Sequence, residues 1–272
     1  MGTFIHETSI VAPNAQLGED VYIGPFSVIG DGVKIGDRCR VESHASLTGN
    51  LTMGVDNILS PFVTMGHPPQ DFKHQGGEVG IIIGDRNKFR EYANVHPGTD
   101  VCKPNTIIGN DCYMMVGTHF AHEAVMGNHV VISNGVQIGG AVVIDDYAIL
   151  GGLCAIHQFT RIGAHAFIGG MATVTTDIIP YGSVVGNPAR LAGLNVIGLR
   201  RRGFDRMAIK DLRTAYRLLF ADEGTFAQRF DDVERLYGEQ ELVKDVLAFV
   251  RNKDKRNTVS YTHLTLPTTP YV

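Results

Sequence analysis

The residues best suited to chemistry are grouped in the stretch 114–159, where His119, His122 and His157 stand beside Glu123 in the order HFAHE, then AIHQF. An imidazole titrates close to neutral pH and is the usual side chain for general-base work. Gly140 lies eighteen residues after His122, and Gln158 eighteen after Gly140. If eighteen residues make one coil of the chain, a base, a side-chain-free backbone N–H and an amide share one outer column. That combination suits acyl transfer, in which a base deprotonates the acceptor and an N–H stabilises the developing oxyanion. Glu123 is placed to orient the His122 ring or favour its charged form. His119 and His157 flank the column and are candidates to bind substrate hydroxyls. GxSxG is absent, so direct transfer is expected rather than a covalent acyl-enzyme.

The elements that must hold this column follow from a six-residue period. Every sixth residue from Ile108 is apolar: Ile108, Met114, Phe120, Met126, Ile132, Ile138, Ile144, Leu150, Ile156, Ile162, Ile168 and Val174. A second series in another frame runs Val11, Leu17, Ile23, Ile29, Ile35, Val41, Leu47, Met53, Leu59, Met65. Neither a helical period of about 3.6 nor a strand period of 2 explains this, whereas a hexapeptide β-helix does. One apolar residue per short strand points into a prism, with three hexapeptides to a coil that rises by roughly 4.8 Å. Glycine often follows the inward residue, as at Gly109, Gly127, Gly139 and Gly151, and is expected to let the corners turn without a β-carbon penalty. Residues 1–190 are therefore read as a parallel β-helix domain.

Two stretches break the series. Gly66 to Ile82 (GHPPQDFKHQGGEVGII) keeps the frame and reads as a loop; its Asp71 and Lys73 are candidate contacts to a sugar and a phosphate. Pro97 to Asn105 shifts the frame by one residue. The repeat ends near Pro180, and from about Asp205 the spacing turns helical. Ile209, Leu212, Tyr216, Leu219 and Phe220 mark one face, Phe226, Phe230, Val233 and Leu236 a second, and Leu242, Val246, Phe249 and Val250 a third. Residues 191–256 thus read as an appended helical domain that begins near a basic run, Arg200, Arg201 and Arg202. The Thr-rich segment 257–272 fits neither pattern and reads as a non-native or disordered tail.

A net charge of −4 argues against a nucleic-acid-binding protein. No apolar run reaches membrane-span length and the N-terminus lacks a signal-peptide pattern, so a cytoplasmic location is expected. Cys39, Cys112 and Cys154 take small inward positions, with no CxxC pair. In an acidic chain the arginine run points to an anionic partner. His44, His129 and His165 sit in ordinary repeats and read as scaffold.

HFAHE, GNHVVISN, IGG, LGGLCAIHQF and GLNVIGLRRRGF together resemble the acyl-(acyl-carrier-protein)–UDP-N-acetylglucosamine O-acyltransferases of lipid A biosynthesis. The likeness runs over residues 4–255 and includes the HPPQDFK loop. It implies a left-handed β-helix, a homotrimer with sites between subunits, and two substrates: UDP-N-acetylglucosamine and a 3-hydroxyacyl group on the phosphopantetheine of acyl-carrier protein. It implies neither a metal nor a bound cofactor. His122 is similar to the family's base for the sugar 3-hydroxyl and Gly140 to its oxyanion donor. Asp71, Lys73, His119, His157 and Gln158 match substrate contacts, while Asn195, Arg201 and Arg202 match the region holding nucleotide and carrier. Gly170 matches a position where a side chain limits acyl length. Glu123 and Ala141 stand where the family usually has Asp and often has His, and Ile197 where some members carry an acid. These departures bear on the choice between a 3-hydroxyl and a 3-amino acceptor.

Three rivals remain on sequence alone. A CoA-dependent sugar acetyltransferase shares the repeat. A zinc carbonic anhydrase-like protein would need His96, His119 and His122 to converge on a metal. A non-catalytic trimeric scaffold would leave the histidines without a task.

Overall fold

The computed structural model describes residues 2–252, so the segment 257–272 lies outside the described residues. Short strands, most of two residues, form three sheets of eleven, nine and eight strands that are the faces of a prism, parallel throughout except for the last strand of the first. Successive hexapeptides visit the first, second and third face in turn, and each strand pairs with the one a coil away. Phe4 faces Tyr22, Tyr22 faces Arg40, and Arg40 faces Ile58, eighteen residues per step. Both apolar series point inward into one continuous core, with Phe89 and Phe120 among its largest fully buried side chains. Cys39, Cys112 and Cys154 lie inside it.

Glycine has a different reason from the one expected. The corner residue in the left-handed region is the third after the inward one, and it is mostly not glycine: Asp20, Arg38, His44, Glu123, Ala141 and Tyr147 all have φ between 54° and 65°. Gly109, Gly127, Gly139 and Gly151, directly after inward residues, have no such φ. Glycine is required there because the next coil passes too close: a β-carbon on Gly109 would meet Gly127 O at 2.5 Å, and one on Gly36 would meet Gly54 O at 2.6 Å.

The three corners differ in how their backbone is satisfied. Between the third and first faces, an Asn/Asp ladder consumes one N–H per coil. Asp37 accepts from Glu19 N–H, Asn128 from Asn110 and Asp146 from Asn128, all through Oδ1. Alongside it, Arg38 pairs with Asp56 and Arg86 with Asp111 through two bonds each, at 2.7–2.8 Å. Further along, His129, Tyr147, His165 and Tyr181 stack ring on ring.

Both breaks are insertions at the corner between the second and third faces. Strand Gly80–Ile83 pairs with Asn50–Met53 across thirty residues, and Asn94–Val95 with His119–Phe120 across twenty-five. The first loop therefore closes at Gly80 rather than running to Ile82.

The prism passes into helices without a clean break at 190. Gly182–Val185 still pairs parallel with the first face, then Arg190–Leu194 returns antiparallel to it. Among the described residues four helices follow: α1 (Val196–Arg201), α2 (Arg206–Leu219), α3 (Phe226–Tyr237) and α4 (Glu241–Arg251). Asp205 caps α2, accepting from Met207 and Ala208, and Thr225 with Gln228 forms a capping box on α3. The expected apolar faces bury against Ile179 and Tyr181, with one exception: Leu236 is 60% exposed. α1 was not foreseen, because six residues give no period to read.

Candidate active site

His122 turns out of the prism two residues after inward Phe120, at the corner between the second and third faces. Its ring lies directly over Gly140, one coil away: a β-carbon on Gly140 would meet Cε1 at 2.5 Å and Nε2 at 2.8 Å. The coils are clamped by Ala141 N–H donating to His122 O at 2.9 Å and Phe159 N–H to Gly140 O at 2.9 Å. His122, Gly140 and Gln158 thus form one column, as their spacing required. At this phase the ladder corner would have the residue one coil on accept the Gly140 N–H. Here that residue is Gln158, whose exposed side chain makes no such bond among the described residues. Among the described residues the Gly140 N–H has no acceptor.

Glu123 is not a surface carboxylate. It is 3% exposed, and its Oε2 stands 3.6 Å from His122 Nδ1. Its Oε1 accepts from the Thr99 hydroxyl, and more weakly from Lys103 N–H at 3.5 Å. The carboxylate faces Nδ1, which leaves Nε2 as the ring nitrogen free to take a proton.

His119 projects from the second face, next to the column. Its Nδ1 donates to Asn94 Oδ1 at 2.8 Å, while Asn94 Nδ2 donates to Thr64 Oγ1 at 2.7 Å. Because the Asn94 oxygen must accept, His119 carries its proton on Nδ1 and presents a lone pair at Nε2. Burial, then the charge of His122, lowers its pKa. His96 packs edge-on against it at 5.1 Å and is pushed down to about 4, first by burial and then by His119, His122 and His67. Among the described residues, no three His, Cys, Asp or Glu side chains are grouped to hold a metal ion, and His96, His119 and His122 make no such group.

His157 and Gln158 are exposed one coil beyond Gly140, with His157 Nδ1 3.1 Å from Gln158 O. Asp71 and Lys73 share a turn of the first loop, where Asp71 Oδ1 accepts from Lys73 N–H at 2.8 Å. Gly170 lies elsewhere, after a strand of the first face and over Gly152. Asn195, Arg201 and Arg202 belong to a third place, an open cleft of about 530 Å³ between α1 and the first-face residues Ile149 and Phe167. Asn195 caps α1, accepting from Gly198 N–H at 3.0 Å, and donates to His165 O at 3.0 Å. Arg202 is half-buried, donates to Tyr147 O at 3.0 Å and lies over the Tyr147 ring, while Arg201 is exposed. Within one chain the structure joins His122, Glu123, Gly140, His119 and Gln158, and leaves Gly170 and the α1 cleft on other parts of the surface. Thr99 and Asn94 escaped the sequence reading, and His96 entered it only as a candidate metal ligand. Thr99 falls in the out-of-frame segment, and the burial of His96, 5% exposed, has no signature in the repeat.

Family models match at both ends: six hexapeptide repeats of bacterial transferases over residues 14–49, and domain 2 of UDP-N-acetylglucosamine O-acyltransferase over 177–259. The acyl-(acyl-carrier-protein)–UDP-N-acetylglucosamine O-acyltransferase of Caulobacter vibrioides is 48% identical over 252 residues, covering 93% of this chain and 96% of that protein. The protein of the same name from Bartonella henselae is 43% identical, covering 94% and 93%. The crystal structure of a UDP-N-acetylglucosamine acyltransferase from Bacteroides fragilis superposes with a TM-score of 0.89 at 34% identity, covering 92% of this chain and 97% of that one. The Francisella novicida enzyme gives 0.88 at 32%, covering 92% and 91%. The prism is a left-handed parallel β-helix with a C-terminal helical domain, like those of its structural neighbours. With relatives this similar over nearly its whole length, the chain belongs to the acyl-(acyl-carrier-protein)–UDP-N-acetylglucosamine O-acyltransferase family.

Proposed function

We propose that this chain catalyses the first step of lipid A biosynthesis, moving a 3-hydroxyacyl group from acyl-carrier protein to the 3-hydroxyl of UDP-N-acetylglucosamine, with His122 as general base. The observation that carries the mechanism is the His122 ring lying over Gly140, with the Glu123 carboxylate behind Nδ1. His122 Nε2 takes the proton of the acceptor hydroxyl as its oxygen attacks the thioester carbonyl. The oxyanion draws on the Gly140 N–H. When the carbon–sulfur bond breaks, the imidazolium returns its proton to the phosphopantetheine thiolate, so the base is regenerated. Glu123 stabilises the imidazolium between the two transfers. The thioester arrives already activated, and the scheme needs no further cofactor.

His119, with its acceptor at Nε2, meets a sugar hydroxyl, and Asp71, Lys73, His157 and Gln158 complete the sugar and phosphate contacts. Asn195, Arg201 and Arg202 serve the nucleotide and the acidic carrier, an assignment supported by the cleft at α1 and its arginines. Gly170 lines the acyl groove. Because its corner is not the His122 corner, one groove lined by both needs two subunits, which favours a homotrimer with sites between chains. Among the described residues no helix is long and apolar enough to cross a membrane, and the cytoplasm, where acyl-carrier protein is found, is the proposed location.

The test is an acyl-transfer assay offering acyl-carrier-protein and CoA thioesters with UDP-N-acetylglucosamine and its 3-amino analogue. Carrier-dependent ester formation is expected, with His122→Ala slower by about 10²–10⁴. Turnover with acetyl-CoA alone would move the chain to the sugar acetyltransferases, and an unimpaired His122→Ala would remove the base.

A further inference from the structure

The out-of-frame segment between Pro97 and Asn105 has two neighbouring residues with separate duties. Thr99 is 1% exposed and faces inward; its hydroxyl donates to Glu123 Oε1, and its own N–H is tied to Lys103 O at 2.8 Å. Asp100 faces the first loop. Its Oδ1 lies 3.0 Å from His74 Nδ1, and its carboxylate accepts from Gln75 N–H at 3.2 Å and Gly77 N–H at 2.8 Å. His74 in turn closes the turn that carries Asp71 and Lys73, its N–H donating to Asp71 O at 3.2 Å.

A buried carboxylate with two equivalent oxygens can rotate, and whichever oxygen is bonded decides where the other points. The Thr99 hydroxyl occupies Oε1, so Oε2 is the oxygen turned to His122 Nδ1. A glutamate has one more rotatable bond than an aspartate, so this chain needs a second anchor to hold the oxygen in place. Asp100 has the corresponding task for the loop. Its three partners tie the residues that directly follow the Asp71–Lys73 turn to the second insertion, and the packing is close: a β-carbon on Gly77 would meet Asp100 Cβ at 2.6 Å. Backbone N–H groups, that of Gly77 first, hold the Asp100 carboxyl below the usual range, so it is ionised in the working pH range.

We propose that Thr99 and Asp100 are paired positioning residues, Thr99 aiming the Glu123–His122 pair and Asp100 fixing the turn that presents Asp71 and Lys73. The inference rests on the catalytic reading above. It separates the two consequences between adjacent residues: loss of Thr99 acts on turnover, loss of Asp100 on acceptor binding.

Steady-state kinetics with the acyl-carrier-protein donor test it on the full chain. Thr99→Val is expected to lower kcat by about ten- to a hundredfold, the range for a misaimed catalytic group, with KM for the nucleotide sugar changed by less than about twofold. Thr99→Ser restores kcat. Thr99→Val added to Glu123→Gln costs no more than Glu123→Gln alone, because Thr99 acts only through that carboxylate. Asp100→Asn raises KM by about tenfold and leaves kcat within about twofold. Should Thr99→Val not fold, Thr99→Ala is read in the same way. Equal losses in the Val and Ser variants, or additivity with Glu123→Gln, overturn the Thr99 assignment; a kcat defect without a KM defect overturns that of Asp100. His122→Ala is run alongside. If it keeps its turnover, the catalytic reading itself fails; if it does not while Thr99→Val behaves as wild type, only the positioning inference fails.

Discussion

The His122 imidazole and the Gly140 backbone are in contact across one coil of the prism, so closely that the glycine has no room for a methyl group: a β-carbon there would stand 2.5–3.0 Å from three ring atoms. This contact sets the height of the proposed base above the Gly140 N–H, the proposed oxyanion donor. Gly140→Ala keeps the N–H but must push the ring away. A displacement near 1 Å costs about a hundredfold in rate. The expected result is a kcat about a hundredfold lower with an unchanged thermal unfolding midpoint. Normal turnover in this variant would show that the ring position over Gly140 is not the reactive one.

Asn94 fixes the tautomer of His119 through a bond of 2.8 Å to Nδ1. Asn94→Leu removes that acceptor and frees the ring to rotate and exchange its proton between nitrogens. KM for UDP-N-acetylglucosamine is expected to rise by about tenfold, on the scale of one lost hydrogen bond in a dry site, with kcat changed by less than about twofold. Nitrogen-15 spectra of labelled histidine should show an Nδ1-protonated imidazole in the wild type that is lost in the variant. A wild-type KM would separate His119 from acceptor binding.

Buried histidines make the fold sensitive to mild acid, His96 and His165 more than His119. His96 and His165 are both lowered from 6.5 to about 4, by burial before any charge; around His165, Arg202 adds to the effect and Asp146 and Asp245 oppose it. Between those values the unfolded chain binds protons that the folded chain refuses, so stability falls as pH drops from about 6.5 towards 4 and is unaffected by these groups above that window. The urea midpoint should be lower at pH 5 than at pH 7.5. His165→Phe keeps a ring between Tyr147 and Tyr181 and removes the titration, so its midpoint should change less over the same interval. An identical slope in wild type and variant would assign the sensitivity elsewhere.

The prism was legible because a six-residue period leaves one inward position per strand, and every residue from Ile108 to Val174 at that phase obeys it. The same arithmetic placed His122, Gly140 and Gln158 in one column. Glycine was misread because its clash is with the next coil, a contact eighteen residues away that no local turn rule describes. The spacing put Glu123 next to His122 but could not show its burial, because its side-chain partners Thr99 and Lys103 lie in the inserted segment. Insertions escape periodic reasoning by construction, and the site's supporting contacts are concentrated in them. Leu236 shows the opposite failure: its helical phase suited an apolar face, but among the described residues it stays largely exposed.

Acyl length is expected to be set at Gly170. It is exposed, follows inward Ile168 by two residues, and has no left-handed φ, so a side chain is sterically admissible; a β-carbon would touch Gly152 O at 3.3 Å and little else. A longer side chain must therefore extend outward, over the surface where the acyl chain would run. Each methylene of the donor buried there contributes about 0.8 kcal/mol, so a groove shortened by several methylenes loses the longer donor by orders of magnitude while sparing the shorter. The wild type should prefer long 3-hydroxyacyl donors, and Gly170→Met should reverse the preference with kcat for a short donor nearly unchanged. Competition between long and short acyl-carrier-protein thioesters, read by mass spectrometry of the product, measures the ratio directly. A wild type that already favours the short donor, or a ratio unmoved by Gly170→Met, would reduce Gly170 to a residue that only lets two coils pass.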